Sequence, residues 1–212
     1  MREPINTITH LIGIVLAFIA LIAMIINAVW KENVTYLVGG IIFGVSMILL
    51  YSASTIYHWY KGDSKSILRL RKLDHAMIFV LIAGTYTPVC LTALRGTLGT
   101  VVLVLVWSLA LVGTVSKVIF INMPRWLSAG MYLFLGWISI FFIVPLFNAL
   151  PTGGFVWLVV GGVLYTIGSL FYASKSEKIK IAGFGFHEIF HLFILAGTTA
   201  HYILINHYLF SA

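Results

Sequence analysis

Seven long runs of apolar residues, at 8–29, 34–59, 74–94, 98–116, 126–147, 155–173 and 184–209, leave this chain few folds to choose from. A helix needs roughly 20 apolar residues to cross the hydrocarbon core of a bilayer. Backbone N–H and C=O groups find no water there, so a crossing segment is a helix or a strand of a closed barrel. Runs of this length without strict polar–apolar alternation exclude the barrel. The breaks carry helix-ending residues: Lys31-Glu32-Asn33, Lys61-Gly62-Asp63-Ser64, Arg95-Gly96, Asn122-Met123-Pro124-Arg125, Pro151-Thr152-Gly153-Gly154 and the stretch 174–182. With 61% hydrophobic and 9% charged residues in a chain of 212, no soluble domain fits between the runs. The expectation is an all-α membrane protein, a seven-transmembrane helix bundle that forms a single domain over 1–212, without internal repeats. The first run has no small-residue cleavage site after it and reads as a retained span, not a removed signal peptide.

Lysine and arginine orient such a bundle, because positive loops stay on the cytoplasmic side. A cytoplasmic N-terminus puts Arg2, Lys61, Lys65, Arg69, Arg71, Lys72, Lys117, Arg125, Lys175, Lys178 and Lys180 inside, eleven of the thirteen positive side chains. Only Lys31 and Arg95 fall outside. The prediction is therefore a multi-pass protein of the cell membrane, N-terminus cytoplasmic and C-terminus outside. The basic stretch 64–72 fits either a short amphipathic helix on the inner lipid surface or a solvated loop. Pro88 predicts a kink in the third span, and Gly161, Gly162 and Gly168 suit close helix contact in the sixth. Trp30, Trp59, Trp126 and Trp157 fall near helix ends, where indoles favour the interface.

Polar residues at membrane depth are expensive, and here they share one level. His187 and His191 stand four apart, so on a helix both rings leave one face about a turn from each other, the spacing at which two imidazoles share an ion. Alternating spans bring the end of the second run, the start of the third and the start of the seventh to the cytoplasmic face. His58, Asp74 with His75, and His187 with Glu188 and His191 then lie at the same depth. Cys90 is the only cysteine, so cysteine-based metal sites and an internal disulfide are excluded. Three histidines and an open position are the usual make-up of a catalytic zinc site. His58, His187 and His191 are the candidate Zn2+ ligands; Asp74 is the candidate to hold water and take its proton. Ser54, one turn before His58, is a candidate partner of a ligand ring or of an oxyanion, although a serine in a membrane helix often bonds only its own preceding carbonyl. His75 points about 100° away from Asp74, so at most one of the two faces the ion. His201 lies about 15 Å further along its helix than His191 and reads as a satisfied core histidine; His10 and His207 read as interfacial. Glu188 completes an H-E-x-x-H string, in which the glutamate of soluble metalloproteases is the general base. Pattern alone does not separate its role from that of Asp74.

Together these residues resemble a known family. Tyr51-Ser52-Ala53-Ser54-Thr55-Ile56-Tyr57-His58, Lys72-Leu73-Asp74-His75 leading to Ala83-Gly84-Thr85-Tyr86-Thr87-Pro88, and His187-Glu188-Ile189-Phe190-His191 with Gly197 and His201 closely resemble the haemolysin III branch of the progestin and adiponectin receptor (PAQR) family. The resemblance spans nearly the whole chain. It implies a seven-helix fold with zinc held by the same three histidines near the cytoplasmic face. It also implies kinship with alkaline ceramidases, for which metal-dependent lipid amide hydrolysis has been proposed. The position of Glu188 is not a fixed acid in that family, which makes Glu188 accessory at best. The function expected is metal-dependent hydrolysis of a lipid amide or ester in membrane-lipid homeostasis, with membrane lipids as partners and no nucleic acid. The alternatives are a non-enzymatic membrane sensor with a structural zinc, and a pore-forming haemolysin that acts by cytolysis.

Overall fold

A computed structural model describes residues 1–174 and 184–210. Among these residues, seven helical segments are long and apolar enough to cross a membrane. They are α1 (Pro4–Trp30), α2 (Val34–Trp59), α3 (Ser64–Thr92), α4 (Thr97–Ile119), a fifth span Arg125–Ala149 made of α5 (Arg125–Gly136), a 3₁₀ segment (Trp137–Phe142) and α6 (Ile143–Ala149), then α7 (Thr152–Ser174), and last α8 (Phe186–Ile203) continued by a π-helical turn (Leu204–Leu209). This is an all-helical, multi-pass membrane architecture. Of the lysines weighed for orientation, Lys175, Lys178 and Lys180 lie outside the described residues.

Local chemistry sets the ends. Pro4 opens α1, where its missing N–H costs nothing. Asn33 caps α2 by accepting from the Tyr36 N–H at 3.1 Å, and Asp63 caps α3 by accepting from the Ser66 N–H at 2.9 Å. Gly96, at φ 83°, takes the left-handed turn into α4 that a side chain would resist.

α1 shows how the bundle is sorted. Its buried face, Asn6, Thr9, His10, Gly13, Ala17, Ala20, Met24 and Ala28, follows the three-to-four spacing of one helix stripe and is small or polar. The opposite stripe, including Ile12, Val15, Ile19, Ile22, Ile26 and Val29, is exposed and aliphatic. That inversion suits a lipid surround, where small residues let backbones approach and large aliphatic ones face the acyl chains. Trp30, Trp59 and Trp126 are exposed at helix ends. Successive spans pack as α1 on α2, α2 on α3, α3 on α4, and α7 on α8; α5 leans on α7, and α1 on α8 closes the ring. A Cβ on Gly161 would come within 2.4 Å of the His201 ring and one on Gly168 within 2.7 Å of Phe193, so both glycines mark close approach of α7 to α8. Gly162 has open space instead and faces the interior cavity.

The structure corrects or adds to the sequence-based expectations at four places. Residues 64–72 are neither a separate surface helix nor a loop. They are the first turns of α3, because nothing between the Asp63 cap and Asp74 breaks a helix. Pro88, where a kink is expected, does not end α3, and a side chain on Gly39 of α2 would meet its Cα and Cβ at 3.0 Å. The fifth span is segmented, because Pro145 cannot donate to the carbonyl one turn back. Tyr86 from α3 repairs part of the break: its hydroxyl accepts from the Ser139 N–H at 2.9 Å and donates to the Gly136 carbonyl at 2.6 Å. Finally, Lys117 is buried, with its ammonium donating to Ser128 Oγ.

Candidate metal centre

Two helix ends that are far apart in sequence meet at one end of the bundle. His58 sits in the last turn of α2, while His187 and His191 occupy the first two turns of α8. One ligand-capable atom from each residue lies within 4.8 Å of the others. His58 and His191 are almost fully buried and His187 is half-buried. His58 Nε2 and His187 Nε2 are 3.5 Å apart. Two ligands of a tetrahedral ion with bonds of about 2.05 Å sit roughly 3.3 Å apart, so this pair is spaced as two donors to one ion. The donor set, three imidazoles without thiolate or carboxylate, suits a borderline divalent metal and leaves a fourth position open.

The nitrogens facing away from the cluster meet α1. The Nδ1 of His58 is 2.5 Å from Glu3 Oε2, and the Nδ1 of His191 is 3.3 Å from Thr9 Oγ1. Glu3 lies just before α1; the His58 ring, with the Asn6 amide and Arg2 guanidinium, holds its carboxyl at about 2, below the usual carboxylate range. His10, read from sequence as interfacial, is turned into the bundle. It is buried, lies flat on the His191 ring with 3.7 Å between centroids, and has no hydrogen-bond partner on either ring nitrogen. Sequence reasoning missed Glu3, Thr9 and His10 as members of this site. The only signal was that alternation of spans brings the start of the first to the level of the end of the second, where His58 sits.

Asp74, Ser54 and His75 line the cavity that His10, His187 and His191 also line. Asp74 is buried but is not one of the three clustered ligand residues. Ser54 Oγ is fully buried and lies within reach of the Asp74 carboxylate. His75 faces the same cavity from another side, with Nδ1 3.3 Å from the Tyr132 hydroxyl, so both neighbours on α3 reach it. Beyond the polar end the cavity, about 140 Å³, continues between apolar side chains including Ile78, Leu81, Leu94, Val102 and Leu146. Glu188 does not line it. His201 is apart from the cluster as expected: its Nδ1 donates to the Gly197 carbonyl at 2.9 Å and its ring stacks on Tyr165. His207 is exposed at the far end of the last span.

Comparison with known proteins gives the family. Residues 1–202 match the family described as Haemolysin-III related. The chain is 44% identical over 208 residues to the Hemolysin-3 homolog of Bacillus subtilis (strain 168), covering 98% of this chain and 94% of that protein. It is 38% identical over 207 residues to Hemolysin-3 of Bacillus cereus, covering 98% and 91%. The human monocyte to macrophage differentiation factor, a PAQR member, is 26% identical over 211 residues, covering 97% and 83%. No solved structure gives a significant match. A seven-span chain with a buried histidine triad, matched almost end to end by these relatives, belongs to the Haemolysin-III related family.

Proposed function

We propose that this protein is a zinc-dependent hydrolase of acyl lipids, acting at the cytoplasmic face of the cell membrane. The observation that carries the reading is the cavity: its polar end holds His187, His191, Asp74 and the buried hydroxyl of Ser54, and its other walls are largely apolar. His58, His187 and His191 would hold the ion, which when bound supplies Lewis acidity toward an acyl carbonyl and makes water nucleophilic near neutral pH. Asp74 accepts the proton of the attacking water and returns it to the leaving amine or alkoxide. Ser54, buried beside Asp74, donates to the carbonyl oxygen as negative charge builds there. The apolar walls seat the acyl chain and keep bulk water from the reacting bond. The lysine and arginine excess at the loops on the site's side supports a cytoplasmic location.

The test is release of fatty acid from amide- and ester-linked lipids by purified protein. Asp74→Asn should lose turnover while keeping its metal; turnover equal to wild type removes the hydrolase reading. A second reading, a non-enzymatic membrane sensor stapled by zinc, has its own support. The backbones of α2 and α8 pack little against each other, with the Tyr51–Thr198 hydrogen bond as a side-chain link between them, so an ion held by His58 and the two α8 histidines would add a second tie. Structural zinc contributes about 10 to 16 kcal/mol in small peptides, ample for such a tie. A metal-free protein with an unchanged melting temperature would eliminate the staple.

A further inference from the structure

We infer that the start of α1 is the device that aims two of the three histidines: Glu3 and Thr9 fix the tautomers of His58 and His191 so that each presents a bare Nε2 to the metal. The inference rests on the metal reading above. It follows from counting protons at each contact.

A carboxylate only accepts hydrogen bonds. At 2.5 Å from Glu3 Oε2, the Nδ1 of His58 therefore carries the proton, which leaves the lone pair on Nε2, the atom that faces His187 Nε2. Glu3 is itself held. Asn6 Nδ2 donates to Oε2 at 3.1 Å, Arg2 Nε donates to Oε1 at 3.1 Å, and the Glu3 backbone N–H donates to the His58 carbonyl at 3.1 Å. Residue 3 thus grips residue 58 through both backbone and side chain.

The second contact gives the same answer by a different route. Thr9 has one hydroxyl proton and donates it to the Asn6 carbonyl at 3.0 Å. Toward His191 it can only accept, so the Nδ1 of His191 carries a proton and its Nε2 is free. The flat contact of His10 on the His191 ring leaves that ring little freedom to turn. A helix that contributes no member of the ligand triad therefore sets the aim of two ligands, and partners of this kind raise ligand basicity as well as fixing orientation. Glu3 and Thr9 are positioning residues; neither is a member of the ligand triad.

The experiment uses the full chain purified in detergent and stripped of metal. Zn2+ affinity is measured by competition with a chromogenic chelator, and site geometry by the visible spectrum of the Co2+ form. Glu3→Gln should weaken Zn2+ binding by about 10- to 100-fold and alter the Co2+ bands, and Glu3→Asp should restore most of both. Thr9→Val should lose a smaller factor, since a neutral acceptor is replaced. Glu3→Gln with wild-type affinity and spectrum overturns the inference while leaving the metal reading intact; a wild-type protein that binds neither ion overturns both. A purely structural Glu3 would lower the melting temperature of metal-free protein and leave the affinity of the folded fraction unchanged, which also overturns it. If Glu3→Gln does not fold, Thr9→Val decides: unchanged affinity and spectrum overturn the inference, and a weaker, shifted site upholds it.

Discussion

His191 and His201 sit on the same helix, both nearly fully buried, yet their surroundings differ completely. The ring of His201 is settled: Nδ1 donates to its own helix at the Gly197 carbonyl, the face stacks on Tyr165, and Gly161 of α7 leaves the space the ring fills. His191 stands among three other imidazoles, stacked on His10, with the rings of His58 and His187 within 5 Å of its own. Burying one polar ring next to its own carbonyl is a packing solution, because the donor is satisfied locally. Four rings buried together are not settled in that way: the Nδ1 atoms of His58 and His191 meet Glu3 and Thr9, while both ring nitrogens of His10 are without a hydrogen bond. Around Thr198 and His201 the polar groups hold helices together, as in the Tyr51 and Tyr165 hydroxyls that meet at Thr198 Oγ1, each at 2.8 Å. The histidine-cluster end leaves ring nitrogens open to the cavity.

The contrast can be broken most directly by removing one histidine from each half. His191→Ala or His58→Ala should abolish stoichiometric metal binding, measured by elemental analysis of purified protein, whereas His201→Phe should leave it at wild-type level. Metal loss from His201→Phe would end the distinction. Next in size is Asp74→Asn, expected to lower lipid turnover by about 10² to 10⁴, the range of a general base, with metal content unchanged. On the packing side, Gly161→Ala places a Cβ against the His201 ring and should destabilise the bundle by about 1 to 3 kcal/mol through overpacking. The measure is thermal melting in detergent, with Zn2+ affinity unaltered. Glu188→Gln should do least. Glu188 lies outside the cavity, so neither metal content nor turnover should change, and a loss comparable to that of Asp74→Asn would return the H-E-x-x-H glutamate to the site.

Much of this molecule is written in local pattern. Apolar run length dictates the number of spans, because a bilayer accepts only segments of that length, and four-residue spacing puts His187 beside His191 and Ser54 beside His58 on any helix. The convergence of α2 and α8 histidines was also legible, since alternation of spans brings those helix ends to one level. What local pattern does not contain is which helix lies between which others. α1 packs on both α2 and α8, and only that arrangement turns Glu3, Thr9 and His10 from residues beside an apolar run into neighbours of His58 and His191. The same holds for Tyr86 across the break before Pro145 and for Lys117 turned inward to Ser128. Spacing along a helix is fixed by its own hydrogen bonds; contact between helices is decided by the packing of whole faces, and that requires the folded bundle.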